Sequence, residues 1–320
     1  EQLIGKKEDC YEWGGYFICN GIERLVRMLI QTKRNYPIAF QRPNFVNRGR
    51  LFTPSAVMMR CVREDLLTQS LSVHYLTDGN VTLKFIYHKQ EFLVPAYVML
   101  KALAPEGTPD RFIYDRLVRG NTANKQIGDQ VEVILMDAQK YTLYSQSQCL
   151  AYMGSRFRTV LDGVQADMTD VEIGSFLIES LIFVHLANNE DKFQTLCLMI
   201  EKLYAAVAGE CEYDSLDSVS NQEVLLGGHL YAQLLAEKLY DLLIGAKAKL
   251  LKDLKAPKFD MQSLRSQLYL KKLVDAQTSI GKRMENFLAT GNLISRSALD
   301  LQQTAGFTVV ADKLNMIRYL

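Results

Sequence analysis

Two hydrophobic periods divide the chain. Near the start, and again between about residues 56 and 92, apolar and polar residues alternate with the period of a strand; from about 110 to 289 apolar residues recur every three or four positions, the period of a helix. In "YEWGGYFICNGIERLVRMLI", residues 11–30, strand-like alternation flanks Asn20-Gly21. Asn-Gly tolerates the positive φ angles of a tight turn, so this stretch predicts a hairpin. Residues 31–55 hold Pro37, Pro43, Pro54 and Gly49 and read as irregular. The segments "AVMMRCVRE", "SLSVHYL" and "VTLKFIYHKQEF" are rich in β-branched and aromatic residues and predict three strands, the last two joined by the turn "TDGN".

Pro95 opens "PAYVMLKAL", the first helical pattern. Short helices are predicted from about 109 to 187: "RFIYDRLVRG" with Asp110 as its cap and Gly120 as its stop, then "DQVEVILMDAQK", "SQSQCLAYMG" and "DVEIGSFLIESLIFVHL". Phe193, Leu196, Ile200 and Leu203 share one face of the next helix. After the polar loop "GECEYDSLDSVSNQ", the positions Leu235, Leu239, Leu242, Ala246 and Leu250 mark the apolar face of another. Pro257 separates it from a third helical run, about 260–289, with Gly291 as its stop.

These elements predict an α+β fold. A mixed β/helical unit, about 36–188, lies between a short N-terminal hairpin and a long helical block. The hairpin is too small to be stable alone. It has to pack on the helical block, which makes the middle unit an insertion within another domain.

Composition narrows the function. The 320 residues are enough for two or more domains, and 48% hydrophobic with 23% charged residues is a globular balance. The 37 basic and 36 acidic residues leave a net charge of +1, so any nucleic-acid contact is a local patch rather than a global basic excess. Cys10, Cys19, Cys61, Cys149, Cys197 and Cys211 form no C-x-x-C pair, which argues against a zinc ribbon. They read as reduced, small apolar packing residues of an intracellular protein. No apolar run reaches the ~18–20 residues of a membrane span. With Glu1 first and an apolar tail last, the chain reads as a fragment of a longer protein.

Catalytic motifs are missing. No phosphate-binding G-x-x-x-x-G-K-[ST] and no G-x-S-x-G is found, and the glycines of "GGYFICNG" do not sit between a strand and a helix. Asp214 and Asp217 of "DSLD" come nearest to a carboxylate pair for a metal, but they read as part of a helix-entry loop. His74 and His88 fall in successive strands, and His185 and His229 on helices, all without ligand spacing; each reads as a packing or surface residue. The basic run 33–50 is different. Lys33, Arg34, Arg42, Arg48 and Arg50 are interleaved with Tyr36, Phe40 and Phe45, and no acid interrupts them. Such a run is a solvated loop or a set of phosphate contacts. "TGNLISRS" offers a second, weaker place of that kind, with one cation.

"GGYFICNGIERL" resembles a signature of the second-largest subunit of multisubunit RNA polymerases, and the bacterial β subunit carries a similar N-G-x-E-R stretch. "KFQTLCLMIEKLYAAVAGE" and "SNQEVLLGGHLYAQLLAEKL" are similar to the second half of that family's protrusion domain, and "FLATGNL" to the entrance of its fork. "KRNYPIAFQRP", "GECEYDSLDSVSNQEVL" and "LQQTAGFTVVADKLNMIRYL" resemble the RNA polymerase I branch, as does Leu293 where the polymerase II and III patterns carry Trp. The motifs are collinear over the whole chain.

The resemblance implies a domain order. Residues 1–35 would end the first half of the protrusion, 36–188 would be the lobe, 189–290 the second half of the protrusion, and 291–320 the start of the fork. It also implies a non-catalytic portion of a DNA-directed RNA polymerase I subunit, inactive by itself, that walls the DNA cleft in nucleus and nucleolus during rRNA synthesis. The implied partners are the largest polymerase subunit, a TFIIF-like heterodimer, a small zinc-ribbon subunit, and DNA through its backbone. No cofactor is implied here, because the family's Mg and Zn sites lie elsewhere in the enzyme. The residues implied to lie near nucleic acid are Arg34, Arg42, Asn292 and Arg296. The fork loop, Asn292–Ser297, is shorter than the polymerase II pattern. The equivalent region of polymerase II or III, and an unrelated helical interaction module, are the alternatives.

Overall fold

Alternation builds the first core. In the computed structural model, five strands form one antiparallel meander: β4 (Ile38–Gln41), β5 (Phe52–Val62), β6 (Thr68–Leu76), β7 (Val81–Tyr87) and β8 (Gln90–Pro95). The pairing register carries one row of side chains across all five, Ala39–Val57–Val73–Leu83–Val94, and every member is buried. Period-two alternation puts the next row, Phe40–Ala56–His74–Thr82–Pro95, on the opposite face. The structure describes residues 2–7, 10–11, 14–119, 125–161, 164, 167–255, 264, 266–275, 279–294, 301, 303–314 and 317.

Among the described residues this unit has six α-helices: α2 (Ala96–Leu103), α3 (Asp110–Val118), α4 (Lys125–Tyr141), α5 (Gln146–Phe157), α6 (Asp170–Leu181) and α7 (Asn189–Ala208). They join the first row of the sheet in one hydrophobic core that includes Tyr97, Leu100, Ile134, Cys149, Leu177 and Ile200. α2 is buried along its whole length. α5 and α6 each begin with a reciprocal capping box, Ser145 with Gln148 and Thr169 with Glu172. On the other face of the sheet Phe40, Phe45 and Ala56 form a small cluster with Met58 and Leu216.

The packing divides the chain into two units, Gln31–Glu223 and, from both ends, Glu1–Ile30 with Val224–Leu320. The second begins with the short helix α1 (Gln2–Gly5). Its sheet has the order β1-β2-β10, from β1 (Phe17–Cys19), β2 (Ile22–Val26) and β10 (Thr308–Val310). Asn20 and Gly21 have φ of 52° and 77°, as the turn between β1 and β2 requires. Its helices are α8 (Gly227–Leu254), α9 (Gln267–Asp275) and α10 (Ile280–Thr290). Cys19 of the hairpin shares a core with Leu230 and Leu234 of α8 and Met284, Phe287 and Leu288 of α10. Gly291 ends α10 in the left-handed conformation, φ 69°, and a Cβ there would stand 2.9 Å from Thr308 Oγ1. Two further strands, β3 (Leu29–Thr32) and β9 (Gln222–Leu225), pair with each other.

The α+β class holds, and several local expectations are corrected. Residues 31–55 are not irregular: they contain β4 and a 3₁₀ helix at Pro43–Arg48. "VTLKFIYHKQEF" is two strands, because His88 and Lys89 turn the chain with φ of 49° and 64°. Asp110 is not the cap of α3; Pro109 holds that position, and the Asp110 carboxylate accepts from Lys101 Nζ at 2.7 Å. α6 stops at Leu181, so His185 lies beyond the helix. Among its described residues the run 260–289 contains two helices, α9 and α10. On α8 the buried stripe is Leu230, Gln233, Leu234, Lys238 and Ala246, while Leu239 is exposed. The helical face Phe193–Leu203 belongs to α7, which is buried in the β-containing unit rather than with the later helices.

Candidate nucleic-acid interface

The basic run 33–50 lies wholly within the unit Gln31–Glu223, and the structure sorts its five cations. Arg34 reaches Glu223, with Nε 2.9 Å from Oε2. The same carboxylate pairs with Arg60, whose side chain is 3% exposed and whose Nε also donates to Thr32 O at 2.9 Å. Two guanidinium groups thus share one carboxylate. Asn35, with φ 55°, holds the run in place: its side chain accepts from Val62 N at 2.8 Å and donates to Val62 O at 3.2 Å.

Arg48 is a structural residue. Its guanidinium lies 4.9 Å from the Phe45 ring centre, donates to Glu91 Oε1 at 3.0 Å and meets His74 Nε2 at 2.9 Å. His74 is fully buried, edge-on to Phe45 and Phe52. Burial first, and the charges of Arg48 and Lys84 next, push its pKa down to about 3. The ring is therefore neutral in the folded state, and Nε2 accepts from the arginine.

A pH dependence follows. The unfolded chain takes up a proton on His74 near pH 6.5, while the folded chain refuses it until about pH 3. Stability from this group is complete above pH 6.5 and is lost as pH falls toward 3. Going from pH 7 to pH 4.5 should cost about 2–3 kcal/mol from His74 alone. Urea unfolding of the wild type and His74→Gln at both pH values checks this. An equal acid-induced loss in the variant would assign the effect to other groups.

Three cations of the run pair with no carboxylate among the described residues: Lys33, Arg42 and Arg50, all exposed. Arg42 lies 5.2 Å from the centre of the Phe40 ring. Lys33 Nζ lies 5.1 Å from the centre of Tyr36, and Lys202 Nζ 5.2 Å from the same ring. Lys202 is otherwise engaged, by Asp214 Oδ2 at 2.6 Å and Pro37 O at 2.8 Å. Tyr36, Phe40 and Phe45 thus carry Lys33, Arg42 and Arg48 on their faces. Asp214, read from the sequence as part of a helix-entry loop, instead ties the 209–218 segment to β4 by bonds to both Ala39 N and Ala39 O.

The other two sequence candidates lie elsewhere. Asn292 is exposed just after α10, in the second unit, and its N–H donates to Thr290 Oγ1 at 3.2 Å. Arg296 lies outside the described residues. Sequence reasoning missed Arg60 and Lys202. The signal for Arg60 was a charged residue inside the apolar strand "AVMMRCV"; nothing local marked Lys202. Among the described residues no group of three or more His, Cys, Asp or Glu is placed to hold a metal ion, and no described helix is long and apolar enough to cross a membrane.

The five-stranded sheet, its helical cover and the basic run fall inside one stretch that the family model for RNA polymerase Rpb2, domain 2, matches, residues 33–225. The chain belongs to that family. Beyond the matched stretch it is similar along its whole length to subunits of one polymerase class. It is 51% identical over 321 residues to the DNA-directed RNA polymerase I subunit RPA2 of Euplotoides octocarinatus, covering 100% of this chain and 27% of that protein. It is 41% identical over 326 residues to RPA135 of Saccharomyces cerevisiae, covering 100% and 26%. With RPA2 of Mus musculus the identity is 41% over 318 residues, covering 99% and 27%. The chain therefore spans about a quarter of the length of these relatives.

Proposed function

We propose that the chain is the lobe and protrusion portion of the second-largest subunit of RNA polymerase I, with the entrance of the fork at its end. In this reading it is a non-catalytic wall of the DNA cleft during rRNA synthesis in the nucleus and nucleolus. The observation that carries it is unbroken similarity, end to end, to RNA polymerase I subunits of distant organisms. The largest subunit, the TFIIF-like heterodimer and the small zinc-ribbon subunit are the proposed partners. Catalytic metal ions would be held elsewhere in the enzyme. A pull-down from nuclear extract with the tagged chain, read by mass spectrometry, tests the assignment. Recovery of the polymerase I heterodimer or zinc-ribbon subunit supports it. Recovery of polymerase II or III subunits instead would move the chain to that class.

DNA contact is proposed to be to phosphate. Lys33, Arg42 and Arg50 are the cations that can give it without breaking an internal ion pair. Arg34, whose side chain is part-exposed, would reach phosphate by loosening its pair with Glu223. Asn292 and Arg296 would meet nucleic acid at the fork entrance. Binding of a short duplex should be weak and strongly salt-dependent, since each neutralised phosphate adds about 0.9 to the slope of log K against log salt. Arg42→Ala and Arg50→Ala should each lower that slope by about 1 without changing sequence preference. Fluorescence anisotropy over a salt series measures it. Salt-resistant or sequence-specific binding would refute phosphate contact.

A further inference from the structure

On the buried stripe of α8, Leu230, Leu234 and Lys238 follow one another at helical spacing. Leu230 and Leu234 enter a core with Met284 and Phe287 of α10. A leucine at 238 would continue that row. The lysine there has a side chain only 8% exposed. Its Nζ donates to Glu237 Oε1 at 3.1 Å and lies 4.0 Å from Asp241 Oδ2. Asp241 in turn meets Arg283 Nη1 of α10 at 3.3 Å. The shortest contact of Lys238 is with neither carboxylate: Nζ donates to Ile294 O at 2.7 Å, across 56 residues of sequence. Burying an ammonium group costs much of what its carboxylates return, so such a group is a poor source of stability and a better source of fixed geometry.

The geometry at stake is that of the turn after α10. Gly291 N donates to Phe287 O at 2.8 Å, Phe307 N to Gly291 O at 3.1 Å, and Leu293 N to Thr304 O at 2.8 Å. Backbone bonds therefore hold the turn as far as Leu293. Beyond it the Ile294 carbonyl rests on Lys238, while Ile294 itself is 68% exposed. Thr290 Oγ1 accepts from Asn292 N within the turn. Among the described residues, Lys238 is the side chain from outside the turn that bonds the 292–294 backbone.

We propose that Lys238 is a positioning residue, which fixes Asn292–Ile294 in the place from which this segment meets nucleic acid. The inference rests on the reading that the fork entrance lies against nucleic acid. It adds the side chain that sets the segment's position. A charged donor on a carbonyl is among the stronger hydrogen bonds, so its loss should shift the balance between held and released Ile294 by roughly 10- to 100-fold.

The test uses the full-length subunit in purified RNA polymerase I stalled on a DNA–RNA scaffold, with a photo-crosslinking phenylalanine analogue at position 294. The expected result is a crosslink to nucleic acid in the parent complex, lower by roughly tenfold in Lys238→Met and in Lys238→Gln. Lys238→Arg keeps a charged donor for Ile294 O and should restore most of it. Lys247→Met removes an exposed lysine of the same helix and should change nothing. The shorter, uncharged but polar Gln keeps the test open should the apolar variant fail to assemble. A parent complex without a nucleic-acid crosslink would overturn the fork reading, and the inference with it. A parent crosslink that Lys238→Met and Lys238→Gln leave unchanged would overturn the inference alone. So would a Lys238→Arg as defective as Lys238→Met, or failure of both neutral variants to assemble, which would make Lys238 a folding residue.

Discussion

Replacing Gly154 with alanine should destabilise the chain by roughly 3 kcal/mol or more, although alanine is the better helix former by about 1 kcal/mol. α5 and α6 touch backbone to backbone. A Cβ on Gly154 would stand 1.8 Å from Asp170 O, and a Cβ on Gly174 would stand 2.3 Å from Leu150 O. Neither neighbour is a side chain that can swing away. To admit the methyl group the helices must separate, which strips contacts from a core that includes Leu150, Met153, Ile173 and Leu177. It also pulls Asp170 from Arg158, whose Nη2 lies 2.7 Å from Oδ1. Urea unfolding of Gly154→Ala, Gly174→Ala and the double variant measures the cost. The double variant should lose less than the sum, because one separation of the helices relieves both clashes. Gly281→Ala is the control, with only Ser279 Oγ within 4 Å at 3.7 Å, and should be neutral or stabilising. A neutral Gly154→Ala would show that the helices are not held this closely.

The second large effect is expected at Glu223. Its carboxylate serves two arginines in unequal surroundings: the Arg60 side chain is 3% exposed and that of Arg34 is 41% exposed. Removing the carboxylate with Glu223→Ala takes this counter-charge away from a buried guanidinium, which should cost about 3–5 kcal/mol. Arg34→Ala removes only an exposed partner and should cost about 1 kcal/mol or less. Glu223→Gln keeps a hydrogen-bond acceptor without the charge and should fall between. Arg60→Met combined with Glu223→Leu should recover much of the loss, because a buried ion pair can be replaced by apolar residues with little penalty. The same unfolding assay applies. Equal, small effects of Glu223→Ala and Arg34→Ala would mean that Arg60 does not depend on this carboxylate.

How much of this was legible in the sequence differs from residue to residue. Where a backbone angle is set by the residue itself, sequence was enough. Asn20-Gly21, Gly79 and Gly291 all adopt positive φ at the turns and the helix stop assigned to them. Alternation marked β5, β6 and the stretch that holds β7 and β8 as strand, while β4 lay in a segment read as irregular. The turn at His88-Lys89 was invisible because neither residue favours positive φ; the pairing of β7 with β8 imposes it. The β-containing core could likewise be expected, but not its full membership. α7 carries a regular apolar stripe, and a stripe says that a helix is amphipathic without saying which core it enters.

The candidate interface shows the same division more sharply. The sequence by itself determined that residues 33–50 hold five cations, three aromatic residues and no acid. It also determined that α8 is apolar on more than one side, which is why periodicity chose Leu239 while the core took Leu230 and Leu234. Only the tertiary structure decided which cations are already paired. Glu223 is distant in sequence from Arg34 and Arg60, and Glu91 from Arg48, yet each carboxylate closes on its arginine. The physical reason is range. Turn angles and face periodicity are local properties of a few neighbouring residues. Charge pairing and burial depend on which distant segments the sheet register and helix packing bring within a few ångströms.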